Sequence, residues 1–130
     1  MTEQKSALKD PKALAEFCIK TLDAKSANQL QLFFVAEETI VADYYIVCCG
    51  RSTTHVKALA DELQYALSQE GVELLHIDGR DTGTWILLDF GTVLVHVFTS
   101  EEHDFYRIEK LIKEDARVDI SNLLLSEENK

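Results

Sequence analysis

A chain of 130 residues, 46% apolar and 28% charged, has the size and composition of one soluble domain with a real hydrophobic core, and too little length for two. No apolar run approaches the ~20 residues of a membrane helix, and the opening MTEQKSALKDPK lacks the apolar stretch of a secretory signal, so a cytoplasmic protein is expected. Thirteen Lys and Arg face 23 Asp and Glu, a net charge of −10. That removes the phosphate-neutralising charge on which nucleic-acid affinity depends and favours a basic protein partner.

The first nine residues read as a frayed end. Asp10-Pro11 then supplies an N-cap with proline at the first helical position. Leu14, Cys18 and Leu22, flanked by Phe17 and Ile19, form an apolar stripe on a helix of about three turns. Leu30 to Val35 and Ile40 to Cys49 read as strands; the second is apolar for most of its length and is expected near the centre of a sheet. Gly50 ends it, and Ser52 or Thr53 caps the next helix. Val56, Leu59, Ala60, Leu63, Ala66 and Leu67 recur there at helical spacing until Gly71 stops it. Val72 to Ile77 returns as a strand, which predicts a βαβ unit with parallel strands and a right-handed crossover.

Gly79 to Phe98, GRDTGTWILLDFGTVLVHVF, reads as a hairpin with two unlike faces. Pairing Asp89 with Thr92 across a Phe90-Gly91 loop places Ile86, Leu88, Val93, Val95 and Val97 on an aliphatic face. Trp85, Leu87, Asp89, Thr92, Leu94, His96 and Phe98 fall on the other. A large aromatic, leucines, a carboxylate and an imidazole together have the character of a surface that holds a partner. Thr99-Ser100-Glu101-Glu102 forms a capping box, opening a helix with Phe105, Ile108 and Ile112 inward and Tyr106 at the edge of its buried face. Asp119 to Leu125 reads as a short packed segment, and the closing SEENK as a mobile end. The order α-β-β-α-β-β-β-α predicts a mixed-sheet, two-layer α/β domain bordering on α+β. Its helices cover one sheet face and leave the Trp85 face partly bare.

Little in the sequence supports catalysis. Gly50 to His55 joins a strand to a helix, where phosphates are often held, but with one glycine and no Walker lysine; helix capping explains its Ser and Thr equally well. His55, His76, His96 and His103 lack metal-ligand spacing. Ser52 and His55 serve as cap and neighbour as readily as nucleophile and base, and Asp43 and Asp89 are isolated carboxylates. Cys18, Cys48 and Cys49 are odd in number and form no C-x-x-C, which predicts buried, reduced thiols. No cofactor and no metal are expected.

Three blocks in register, ADYYIVCCGRSTTHVKALADEL, GRDTGTWILLDFGTVLVHVF and EEHDFYRIEKLI, resemble the Iojap or RsfS family of ribosomal silencing factors. The matching features are Asp43, then Gly50, Ser52 and His55 as G-x-S-x-x-H, and Trp85, Asp89 and Gly91 as W-x-x-x-D-x-G. Val95 to Val97 follow as V-H-V, and Tyr106 and Glu109 as Y-x-x-E. The resemblance runs from about Pro11 to Lys113, which divides the chain into a domain over 1–113 and an acidic, partly packed tail over 114–130. Thr92, His103 and Ile112 depart from residues common in the family (Asp, Arg and an aromatic) and bear on the edge of the interface. The resemblance implies a nucleotidyltransferase-like fold without catalytic residues. It also implies a non-enzymatic role: docking on the large ribosomal subunit through its protein fourteen, a basic ribosomal protein, and excluding the small subunit. Homodimers of the free protein are implied as well. On this reading Trp85, Leu87, Asp89, Phe90, Leu94, His96 and Tyr106 form the protein interface. The alternative is a nucleotide-binding or residual nucleotidyltransferase-like protein using the Gly50–His55 loop.

Overall fold

The structure, a computed structural model, describes residues 8–124. It is a mixed six-stranded sheet whose two long helices lie on one face. In chain order the elements are α1 (Pro11–Ala24), β1 (Asn28–Phe34), β2 (Tyr44–Gly50), α2 (Thr53–Gln69), β3 (His76–Asp78), β4 (Trp85–Asp89), β5 (Val93–Thr99), α3 (Ser100–Tyr106) and β6 (Arg117–Val118). The strand order is β3-β4-β5-β2-β1-β6, and every neighbouring pair is antiparallel except β2 with β5.

The helix starts are those the sequence marks. The Asp10 carboxylate accepts from Ala13 N–H at 3.2 Å, ahead of Pro11, and Ser52 Oγ accepts from His55 N–H at 3.1 Å. Each cap satisfies a backbone donor that the first helical turn leaves without a partner. The apolar stripes of α1 (Leu14, Cys18, Ile19, Leu22) and α2 (Val56, Leu59, Leu63, Leu67) close over Ile46, Cys48, Ile86, Leu88, Val95 and Val97 as one core. Cys18, Cys48 and Cys49 are all buried and free; burial pushes each thiol up, Cys49 to about 11.

Several expectations are corrected. β2 begins at Tyr44, because residues 36–42 form a turn in which Ile40 and Val41 face solvent. Of Val72 to Ile77 only His76 and Ile77 join a strand. Val72 and Leu74 pack on the core from irregular backbone. β3 runs in the same sense as β2, but β4 and β5 lie between them. The helix after Thr99 stops at Tyr106, where Arg107 takes a left-handed conformation (φ 44°) and a 3-10 turn, Ile108–Leu111, follows. β6 adds an edge strand to β1, with Ile120 buried and Leu123 and Leu124 packed beside it. Leu8, inside the expected frayed end, packs against the core. Residues 1–7 of that end, Leu125 and the SEENK terminus lie outside the described residues.

Candidate interaction face

The hairpin keeps its two expected faces but not its expected register. Asp89 pairs with Leu94 and Trp85 with Phe98, and Phe90 N–H donates to the Val93 carbonyl at 3.0 Å. The turn residues are therefore Gly91 and Thr92, one position along from the expected Phe90-Gly91, and the partner of Asp89 moves by two, from Thr92 to Leu94. A two-residue slip preserves which face each side chain occupies. Phe90 is the exception among the candidate site residues: it is buried in the helix-covered core and does not share a surface with Trp85.

On the opposite face Trp85 is the hub of an aromatic cluster. Its ring lies 4.8 Å from Phe98, 5.0 Å from Tyr106 and 6.0 Å from His96. Such tilted pairs contribute about 0.5–1.5 kcal/mol each beyond their buried area. Phe98 is fully buried, Trp85 half-buried, and Tyr106 is 48% exposed. Tyr106 reaches Trp85 because α3 starts directly after β5, capped by Thr99 Oγ1 accepting from Glu102 N–H at 3.3 Å. The short helix turns Phe105 outward, against the expectation that it faces in.

Trp85 Nε1–H donates to His96 Nδ1 at 3.1 Å, which requires that nitrogen to be unprotonated. Desolvation pulls the His96 pKa down to about 4, so the ring is neutral at pH 7 and behaves as part of the aromatic surface. Leu87 is half-buried, and Leu94 is nearly covered. Asp89 accepts from Gly91 N–H at 2.8 Å and so holds the hairpin turn.

Beyond Tyr106 the chain folds back as a strap, residues 107–112. His103, buried beneath it, donates Nε2–H to Glu109 Oε2 at 2.7 Å; His103 Nδ1 and Glu109 Oε1 are buried without hydrogen-bond partners. Ile108 and Ile112 pack with Phe33, Val47, Cys49 and Phe98 in a second, smaller core. Between the strap and the β1–β2 turn opens a cavity of about 380 Å³, floored by Tyr45, Leu94 and His96. Leu111 on its strap side is 87% exposed, and Ile40 and Val41 in the facing turn are 104% and 61% exposed. Sequence periodicity missed these residues because Ile40 and Val41 lie in an irregular turn and Leu111 ends a single 3-10 turn, too short to show a period.

The Gly50–His55 loop uses three of its donors internally. Arg51 N–H donates to His55 Nδ1 at 2.9 Å, His55 N–H to Ser52 Oγ, and His55 Nε2–H to the Lys25 carbonyl at 3.1 Å. This is a helix cap braced by an imidazole, and those three N–H groups already have protein partners. Asp61 is taken by Arg80 in a two-bond pair at 2.7 and 3.0 Å. Among the described residues no three His, Cys, Asp or Glu side chains converge in a metal-ligating group, and no helix is long and apolar enough to cross a membrane.

Comparison with known proteins agrees with the motif blocks. A family model described as ribosomal silencing factor during starvation matches residues 8–130, extending beyond Lys113. The ribosomal silencing factor RsfS of Halalkalibacterium halodurans is 30% identical over 111 residues, 85% of this chain and 95% of the relative. That of Haemophilus influenzae is 33% identical over 99 residues, 76% of this chain and 97% of the relative. A crystal structure of a Chromobacterium violaceum protein superposes with a TM-score of 0.77 at 30% identity, covering 78% of this chain and 85% of that one. With sequence blocks, fold and relatives in agreement over most of its length, the chain belongs to the RsfS family of ribosomal silencing factors.

Proposed function

We propose that the protein docks on the large ribosomal subunit through a basic ribosomal protein, its protein fourteen, and blocks joining of the small subunit, so repressing translation. The docking face is the open side of the sheet, with Trp85, Leu87, Asp89, Leu94, His96 and Tyr106; Phe90 supports the turn from beneath. Support comes above all from Tyr106, half exposed and packed against the partly buried Trp85. Aromatic anchors of this kind dominate protein interfaces, and the fold has no need to leave Tyr106 uncovered. The net charge of −10 suits a basic protein surface and opposes direct binding to bare RNA. The action is steric and needs neither turnover nor a cofactor, in keeping with relatives named as silencing factors.

Mixing isolated small and large subunits with increasing protein, then sedimenting them, tests the reading. Joined ribosomes should decline as the protein rises, with the protein travelling on free large subunits. Undiminished joining at saturating protein would sink it. If concentration drives only self-association, with no binding to large subunits, the face serves a homodimer instead.

A further inference from the structure

The docking face does not end at His96. The cavity between the β1–β2 turn and the strap continues it, sharing His96 and Leu94 as floor. Three exposed apolar side chains, Ile40, Val41 and Leu111, belong to the two segments that bound it. Folding gains nothing from leaving them in water. Glu38 stands in the lining of the same cavity and forms no ion pair among the described residues. No lysine or arginine lines the cavity, and its imidazole, His96, is neutral at pH 7.

We propose that this cavity receives a lysine or arginine side chain of the protein partner. The aliphatic stem lies along Leu94, Leu111 and Ile112, and the cationic head meets Glu38. Lysine and arginine bury their methylenes on apolar surface while keeping the charge at a polar rim, which is the arrangement the cavity offers. A purely apolar anchor would cover the Glu38 carboxylate without giving it a partner, at a desolvation cost. A phosphate or an acidic side chain would meet a carboxylate with no cation beside it. The inference rests on the reading of this face as the docking face and adds a charge-selecting subsite to it.

Binding of the full chain to isolated large subunits, measured across a salt series, tests the subsite. Glu38 is exposed in a turn, so Glu38→Gln and Glu38→Lys should leave the thermal midpoint unchanged, as should Leu111→Ser. Glu38→Gln should weaken binding about threefold to tenfold and flatten its salt dependence, as expected of one interfacial charge pair. Glu38→Lys should weaken it more than tenfold, and Leu111→Ser should weaken it at every salt concentration. Parental binding by both Glu38 variants, with Tyr106→Ala impaired, overturns the subsite while the docking face stands. Loss in Leu111→Ser alone identifies an apolar occupant and also overturns it. If Tyr106→Ala binds like the parent too, the docking reading fails with it. Glu38 variants that alter only self-association make a second copy the occupant, and the proposal is then wrong.

Discussion

Replacing His96 with glutamine removes a group whose proton affinity differs between the folded and unfolded chain, and the consequence can be worked out with its sign. Unfolded, the imidazole takes a proton near pH 6.5; folded, burial delays this to about pH 4. Protonation would also place an N–H on the Nδ1 that accepts from Trp85. Between those pH values the unfolded state binds more protons, so stability rises with pH across the window and is lost as pH falls through it. At about 1.4 kcal/mol per pKa unit, the His96 contribution lost between pH 7 and pH 4.5 is about 2 kcal/mol. Urea unfolding followed by fluorescence of Trp85, the chain's single tryptophan, gives the stability at each pH. Carboxylates titrate in both proteins, so the difference between the parent and His96→Gln isolates the imidazole. That difference should move by about 2 kcal/mol in favour of the variant as pH falls from 7 to 4.5. Parallel curves for the two proteins, or a His96 ring-proton NMR titration with its midpoint near 6.5, would refute the argument.

Tyr106→Ala should weaken binding to large subunits by about 1–3 kcal/mol without unfolding the chain, because Tyr106 is half exposed; unaltered affinity places the site elsewhere. Gly79 has φ +82°, and a Cβ there would run into the Trp85 carbonyl oxygen, so Gly79→Ala should cost about 3 kcal/mol or more from left-handed strain and displaced backbone. An unchanged urea midpoint would contradict this. His103→Leu strands the largely buried Glu109 carboxylate and should cost about 2–4 kcal/mol. Adding Glu109→Met should return part of that loss. A double variant as unstable as the two single losses added together would show that the pair is not coupled.

The faces of the sheet were legible because side-chain parity along a strand is insensitive to register errors of two. Ile86, Leu88, Val95 and Val97 under the helices and Trp85, Leu87 and His96 on the open side follow from alternation alone. Register depended on one turn. A glycine opening a two-residue loop is a favoured hairpin pattern, and Gly91 (φ +94°) with Thr92 fits it better than Phe90 with Gly91. Reading that signal would have removed Phe90 from the surface. Strand order was less accessible. Nothing local says that β5 inserts beside β2 ahead of β3, since that choice depends on long-range pairing of apolar strands.

The strap was illegible for a different reason, and it matters most for the site. Phe105, Ile108 and Ile112 share a helical period, which argues for a continuous helix. No glycine or proline marks the break at Arg107, so local propensity gives no warning. Tertiary contacts account for it. Tyr106 covers Trp85, and His103 bonds Glu109 across the reversal. Ile108 and Ile112, beyond the break, pack against the second core. A straight helix would forgo the bond that His103, buried at the start of the reversal, makes with Glu109. The same reversal leaves Leu111 in water and forms one wall of the cavity beside Glu38. The feature that sequence periodicity misreads thus also gives the open face its depth. Substitutions that straighten residues 106–109 should therefore impair docking more than they impair the main core, which lies across the sheet under α1 and α2.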